Sequence, residues 1–95
     1  MRDSSYVMSC LQCEIFVIQD PADKDELLKK NLDRSLELAA YAAATEQSRL
    51  FILPEGWLQG FVPNRAVADW LKMCIQIPGP ETDKLGDFCR QHGVY

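Results

Sequence analysis

The sequence predicts an α/β fold that opens β-α-β-turn-α-α-β, and three observations carry that expectation. Leu50-Phe51-Ile52-Leu53 is an unbroken apolar run that stops at Pro54. Upstream of it, Leu28, Leu32, Leu36, Ala39 and Ala43 recur at helical steps, and Tyr6 to Leu11 supplies an earlier strand candidate. Strand, long helix and strand make a βαβ unit with a right-handed crossover. A continuous apolar strand without alternation suits a parallel sheet covered on both faces.

The totals bound what such a chain can be. Its 95 residues allow one domain with a modest core, burying roughly 60–65 % of the unfolded surface. A hydrophobic fraction of 47 % with 25 % charged residues is ordinary globular composition. The net charge of −4 and the lack of a basic cluster argue against nucleic acid or an anionic membrane as partner. No apolar run approaches the roughly 18 residues of a membrane span, and Met1 to Ser5 does not open a signal peptide. A cytoplasmic location is therefore expected.

The first strand ends near Leu11-Gln12 and carries Cys10 and Cys13, a Cys-x-x-Cys spacing. A redox pair of that spacing belongs at a helix N-terminus, where the thiol pKa falls, whereas residues three apart on a strand point to opposite faces. Cys74 and Cys89 are too far apart in sequence to complete a zinc ribbon. All four cysteines are expected as buried, reduced thiols, with a redox pair at Cys10 and Cys13 as the alternative. No metal or cofactor is expected. Glu14 to Asp20 is apolar in its middle and fits either a strand extension or a packed loop.

Asp23-Lys24-Asp25-Glu26 has the form of a capping box and predicts a helix start there. Lys29, Asp33, Arg34 and Glu37 fall largely outside the apolar stripe, as a solvated face would. Asn31 lies within this helix, and its surroundings assign it no role.

Pro54 keeps Leu53 extended and cannot donate to a ladder, so the second strand should end at Leu53. Glu55 then stands just beyond the carboxyl end of a strand, where open α/β sheets build their crevices. Gly56 and Gly60 permit a tight turn, and Trp57 and Phe61 can wall the site. A carboxylate held beside such walls would have its pKa raised by desolvation, which suits a general base. The same stretch also fits an ordinary surface turn with an exposed acid.

Beyond the turn, Val67, Trp70, Leu71 and Cys74 repeat at helical spacing, with Asn64 as a cap. Lys72 and Cys74 invite a compact triad with Glu55, but residues two apart on a helix do not face each other. Arg65 has two readings, a partner for a substrate carboxylate or a solvated side chain. Pro80, Glu81 and Asp83 suit the start of a last helix, with Leu85, Phe88 and Cys89 on its buried side. Arg90, His92 and Gly93 suit its end, His92 as a capping residue, and Val94-Tyr95 open a third strand.

Taken together, Leu11-Gln12, Lys30-Asn31-Leu32, Leu53-Pro54-Glu55 with Gly60, Ile77-Pro78-Gly79-Pro80 and Gly93-Val94-Tyr95 resemble the nitrilase superfamily, the carbon-nitrogen hydrolases. The resemblance covers nearly the whole chain. It implies an αββα sandwich of which residues 1–95 are the amino-terminal part, and a homodimer or larger assembly. It also implies hydrolysis of a non-peptide C–N bond in a small amide or nitrile by a glutamate, lysine and cysteine triad. Glu55 would be the general base, and the family's lysine and cysteine lie downstream of this chain. Gln12 matches a position where the family often has glutamine. The alternative reading is a truncated, non-catalytic binding or dimerisation module of the same fold.

Overall fold

The computed structural model describes residues 5–95. In chain order it has strand β1 (Val7–Cys10), helix α1 (Lys24–Thr45), strand β2 (Ser48–Ile52), helix α2 (Val67–Met73) and helix α3 (Pro80–His92). β1 and β2 pair in parallel, Met8 opposite Leu50 and Cys10 opposite Ile52, with one irregularity between Val7 and Met8. The Leu11 amide extends the ladder by donating to the Ile52 carbonyl at 2.9 Å. On the other edge of β2, the Tyr95 amide donates to the Arg49 carbonyl at 2.7 Å and the Phe51 amide donates to the Tyr95 carbonyl at 2.8 Å. One residue bonding to both neighbours of Leu50 is the slanted pattern of a parallel pair. Tyr95 thus bonds along the second edge of β2, but one bonded residue makes no ladder: the described sheet has two strands, and Val94-Tyr95 does not form the expected third.

The helices cover one face of this sheet. Phe51 of β2 meets Phe88 of α3 edge-to-face at 6.4 Å, and Ser35 and Ala39 of α1 line the same space as Phe51, Leu85 and Phe88. Short side chains on α1 let the helix approach closely. The expectation that β2 is covered on both faces is not met. Ile52 is 45 % exposed and Met8 51 %, because the described elements pack only on the helical side.

The largest buried cluster lies beside the sheet instead of under it. Ile18, Leu28, Leu32, Leu58 and Met73 come from four segments and bury together, with Trp57, Leu36 and Leu85 packed around them. Ile18 belongs to the segment after β1, which is a packed loop and not a strand extension. Met73 is the sole buried residue of α2. Val67 and Leu71 are outward, 75 % and 67 % exposed, and Cys74 is exposed too, so the apolar repeat expected to bury α2 faces solvent. A helix this short is held by one anchoring side chain. It also begins later than expected, after Ala66, because Asn64 takes a left-handed turn conformation with φ 63° and cannot cap it.

The start of α1 differs from the capping box as well. Asp23 makes no side-chain cap bond. A single 3-10 turn, Pro21–Asp23, precedes α1, and Asp20 accepts from the Ala22 amide at 3.0 Å. The acid that caps is therefore the one before the proline. Glu26 instead lies 3.6 Å from Lys30 one turn on. The ends of α3 follow expectation, with Pro80 in its first turn, acids Glu81 and Asp83, basic Arg90 and His92 at its end, and Gly93 left-handed at φ 63°, but Leu85, Phe88 and Cys89 on its inner side are only half-buried. His92 stacks on Phe88 at 4.3 Å. Asp33 joins the two long helices, accepting from Lys29 at 2.6 Å and from Lys84 of α3. Those two ammonium groups, Lys29 foremost, hold the Asp33 carboxyl below the usual carboxylate range.

The cysteines are free thiols, and none is buried: Cys10 and Cys74 are exposed, Cys13 and Cys89 intermediate. Cys10 ends β1, Cys13 lies in the loop after it, Cys74 follows the short α2, and Cys89 is half-covered on α3.

Candidate functional site

Past Ile52 the chain leaves the ladder, and Pro54 to Gly60 forms a compact turn at the carboxyl edge of the sheet. The Trp57 amide donates to the Pro54 carbonyl at 3.2 Å and the Gly60 amide to Gly56 at 2.7 Å. Gly56 and Gly60 have φ of 68° and 77°, which favours glycine at both. Gly60 also lies against the β1–α1 loop, where an added Cβ would fall 2.9 Å from the Val17 Cα.

Three outside contacts fix the turn. The Ile18 amide donates to the Gln59 carbonyl at 3.1 Å, and the Gln59 side chain donates to the Met73 carbonyl at 3.2 Å. The third comes from Asn31, which is 2 % exposed. Its Oδ1 accepts from the Phe16 amide at 2.7 Å, while its Nδ2 donates to the carbonyls of Phe16 at 3.0 Å and Leu58 at 2.7 Å. One side chain on α1 thus satisfies backbone groups of both the β1–α1 loop and the Glu55 turn. Periodicity places Asn31 beside the apolar stripe, but the three partners are distant in sequence and left no local signal.

Glu55 projects from this fixed turn and is exposed. It makes no hydrogen bond or ion pair with any described residue, so its carboxylate is available to a ligand. The expectation of a desolvated carboxylate is not met, because the walls are arranged differently. Trp57 turns inward onto the buried cluster. Phe61 does flank Glu55, together with Gln59 and Trp70, around a groove of about 480 Å³. Trp70 was hidden from sequence reasoning because its helical repeat resembled a core stripe. Arg65 is not the solvated side chain of its second reading: it lies 4.6 Å over the Trp70 ring and donates to the Ile18 carbonyl, with Nη1 buried and unpartnered.

The remaining candidates lie elsewhere. Lys72 is 3.8 Å from Asp69 and Cys74 Sγ is 3.5 Å from the Trp70 carbonyl, and neither lines the Glu55 groove. Gln12 is exposed beside Cys13, Arg34 and Glu37, on a separate surface. No helix among the described residues is long and apolar enough to cross a membrane.

The exposed Glu55 carboxylate thus stands on a fixed turn beyond the carboxyl end of a parallel strand, the position at which open α/β sheets form their crevices. Residues 9–95 match the carbon-nitrogen hydrolase family, and the chain belongs to that family. No curated protein and no solved structure matches it.

Proposed function

We propose that Glu55 is the general base of a carbon-nitrogen hydrolase of amidase or nitrilase type. The observation that carries this reading is an unpaired carboxylate on a turn fixed from three directions, within the part of the chain matching the family. A base must be held within hydrogen-bond reach of the proton that it takes, and a fixed turn supplies that precision. In the reaction class, a cysteine thiolate attacks the amide or nitrile carbon and a lysine stabilises the charge that develops. Glu55 would take the thiol proton, pass it to the departing nitrogen and activate the water that opens the thioester.

Lys72 and Cys74 are not assembled with Glu55, so two of the three groups have no counterpart in the groove. The 95 residues alone should therefore release no ammonia from amides or nitriles. The complete hydrolytic unit would take its lysine and cysteine from further sequence. Within such a unit Glu55→Gln should abolish turnover while leaving substrate binding. Ammonia release by the 95-residue chain, lost in Glu55→Gln, would overturn the claim that the chain alone is inactive.

The sheet face opposite the helices supports a second reading, a non-catalytic binding or dimerisation module. Met8, Ile52 and Tyr95 present apolar surface there at 51 %, 45 % and 78 % exposure. Concentration-dependent mass in sedimentation, with no hydrolysis, would favour this reading.

A further inference from the structure

The groove beside Glu55 has one ionisable side chain on its wall, and that group is an acid. The rest of its character comes from two rings, Phe61 and Trp70, 6.5 Å apart and tilted by 36°. Phe61 is 75 % exposed, an unusual state for a ring with no buried neighbour to gain from. Arg65 sits against the indole of Trp70 and is itself tied to Ile18, which stiffens the ring without placing a cation on the groove wall. Gln59 donates its side-chain amide to Met73, leaving its side-chain carbonyl oxygen unbonded among the described residues.

We propose that this groove selects a neutral amide bearing an aryl or arylalkyl group, its ring against Phe61 and Trp70 and its amide toward Glu55 and Gln59. The inference rests on the hydrolase reading and names its substrate class. A volume of about 480 Å³ lies within the range of small-molecule sites. Offset or tilted ring contacts reward an aryl group beyond its buried area. Small aliphatic amides leave both rings unfilled. A carboxylate ligand meets Glu55 with no lining cation to compensate.

The test is a titration of the 95-residue chain with benzamide, acetamide and benzoate, followed by NMR at the two indole N–H groups. Benzamide should bind at least about fivefold tighter than acetamide, given the worth of a ring contact, and tighter than benzoate, whose charge meets Glu55. The Trp70 signal should move, and that of Trp57, which faces the buried cluster, should not. Phe61→Ala should cost most of the benzamide advantage without harming the fold, since Phe61 is mostly solvated. Trp70→Phe should keep the advantage. Equal affinities, tighter benzoate, a moving Trp57 signal or an unaffected Phe61→Ala variant would each overturn the proposal. The two readings fail separately: an aryl preference in binding with no turnover in the complete unit removes the hydrolase, whereas turnover without an aryl preference removes only this inference.

Discussion

Gly60 and Val17 touch where the turn after β2 crosses the loop after β1, and no side chain fits between them. A Cβ on residue 60 would lie 2.9 Å from both the Val17 Cα and its Cγ2. The backbone itself is left-handed at φ 77°. Gly60→Ala therefore meets two penalties, a backbone clash and an unfavourable φ, and should destabilise the chain by about 2–4 kcal/mol in urea unfolding. Gly93→Ala is the control. It shares the left-handed φ, but nothing lies within 4 Å of its added Cβ, so about 1–2 kcal/mol is expected.

Asn31→Ala should be among the costliest single changes. It strands the buried Leu58 carbonyl, at about 1–3 kcal/mol, and releases the part-buried Phe16 amide and carbonyl, whose loss water partly relieves. Asn31→Asp keeps the acceptor but turns a buried carboxylate oxygen against two carbonyls, so it should cost at least as much as Ala. Thermal unfolding of the three proteins checks the order.

Glu55→Gln should leave stability within about 0.5 kcal/mol, since the side chain is exposed and unpaired. A larger loss in the melting curve would mean that the carboxylate supports the fold and is not free for chemistry.

The tie between α1 and α3 through Asp33 should be pH-dependent. Its folded pKa is depressed by Lys29 and Lys84, so the unfolded chain binds the proton more readily. The contribution is fully present above the unfolded value of about 3.9 and is lost as pH falls through the lower folded value. Because the pair is solvated, the loss is under about 1 kcal/mol. Asp33→Asn should remove this part of the acid sensitivity in melts between about pH 5 and pH 2.

Native-state alkylation followed by mass spectrometry should label Cys10 and Cys74 before Cys13 and Cys89, following their exposure. Uniform protection of all four would contradict the open sheet face and the outward face of α2.

What the sequence made legible were features with local causes. Pro54 ending β2, the helical start at Pro80 and the left-handed Gly93 each depend on one residue's own backbone chemistry, and each is found in place. The βαβ order follows from periodicity, which is likewise local. The misreadings arise where an unforeseen turn or a distant partner decides. Asp20 caps because the chain passes through a 3-10 turn first, and Trp70 lines the groove because Met73 alone anchors α2. Glu55 was placed correctly at the strand's end, yet its surroundings were not, since Trp57 had two possible sides and the buried cluster claimed it.

Asn31 carries one consequence for motion. The loop around Phe16 and the turn around Leu58 lack a regular ladder, and both depend on the same amide group. The Ile18 amide also bonds the Gln59 carbonyl, so loop and turn are tied both directly and through Asn31, and the two should open as one event and exchange their amide hydrogens at a common rate. The turn that carries Glu55 is thereby held from α1, with β2 between them in sequence, and a change at Asn31 would reach that turn as a loosened hinge instead of a lost contact.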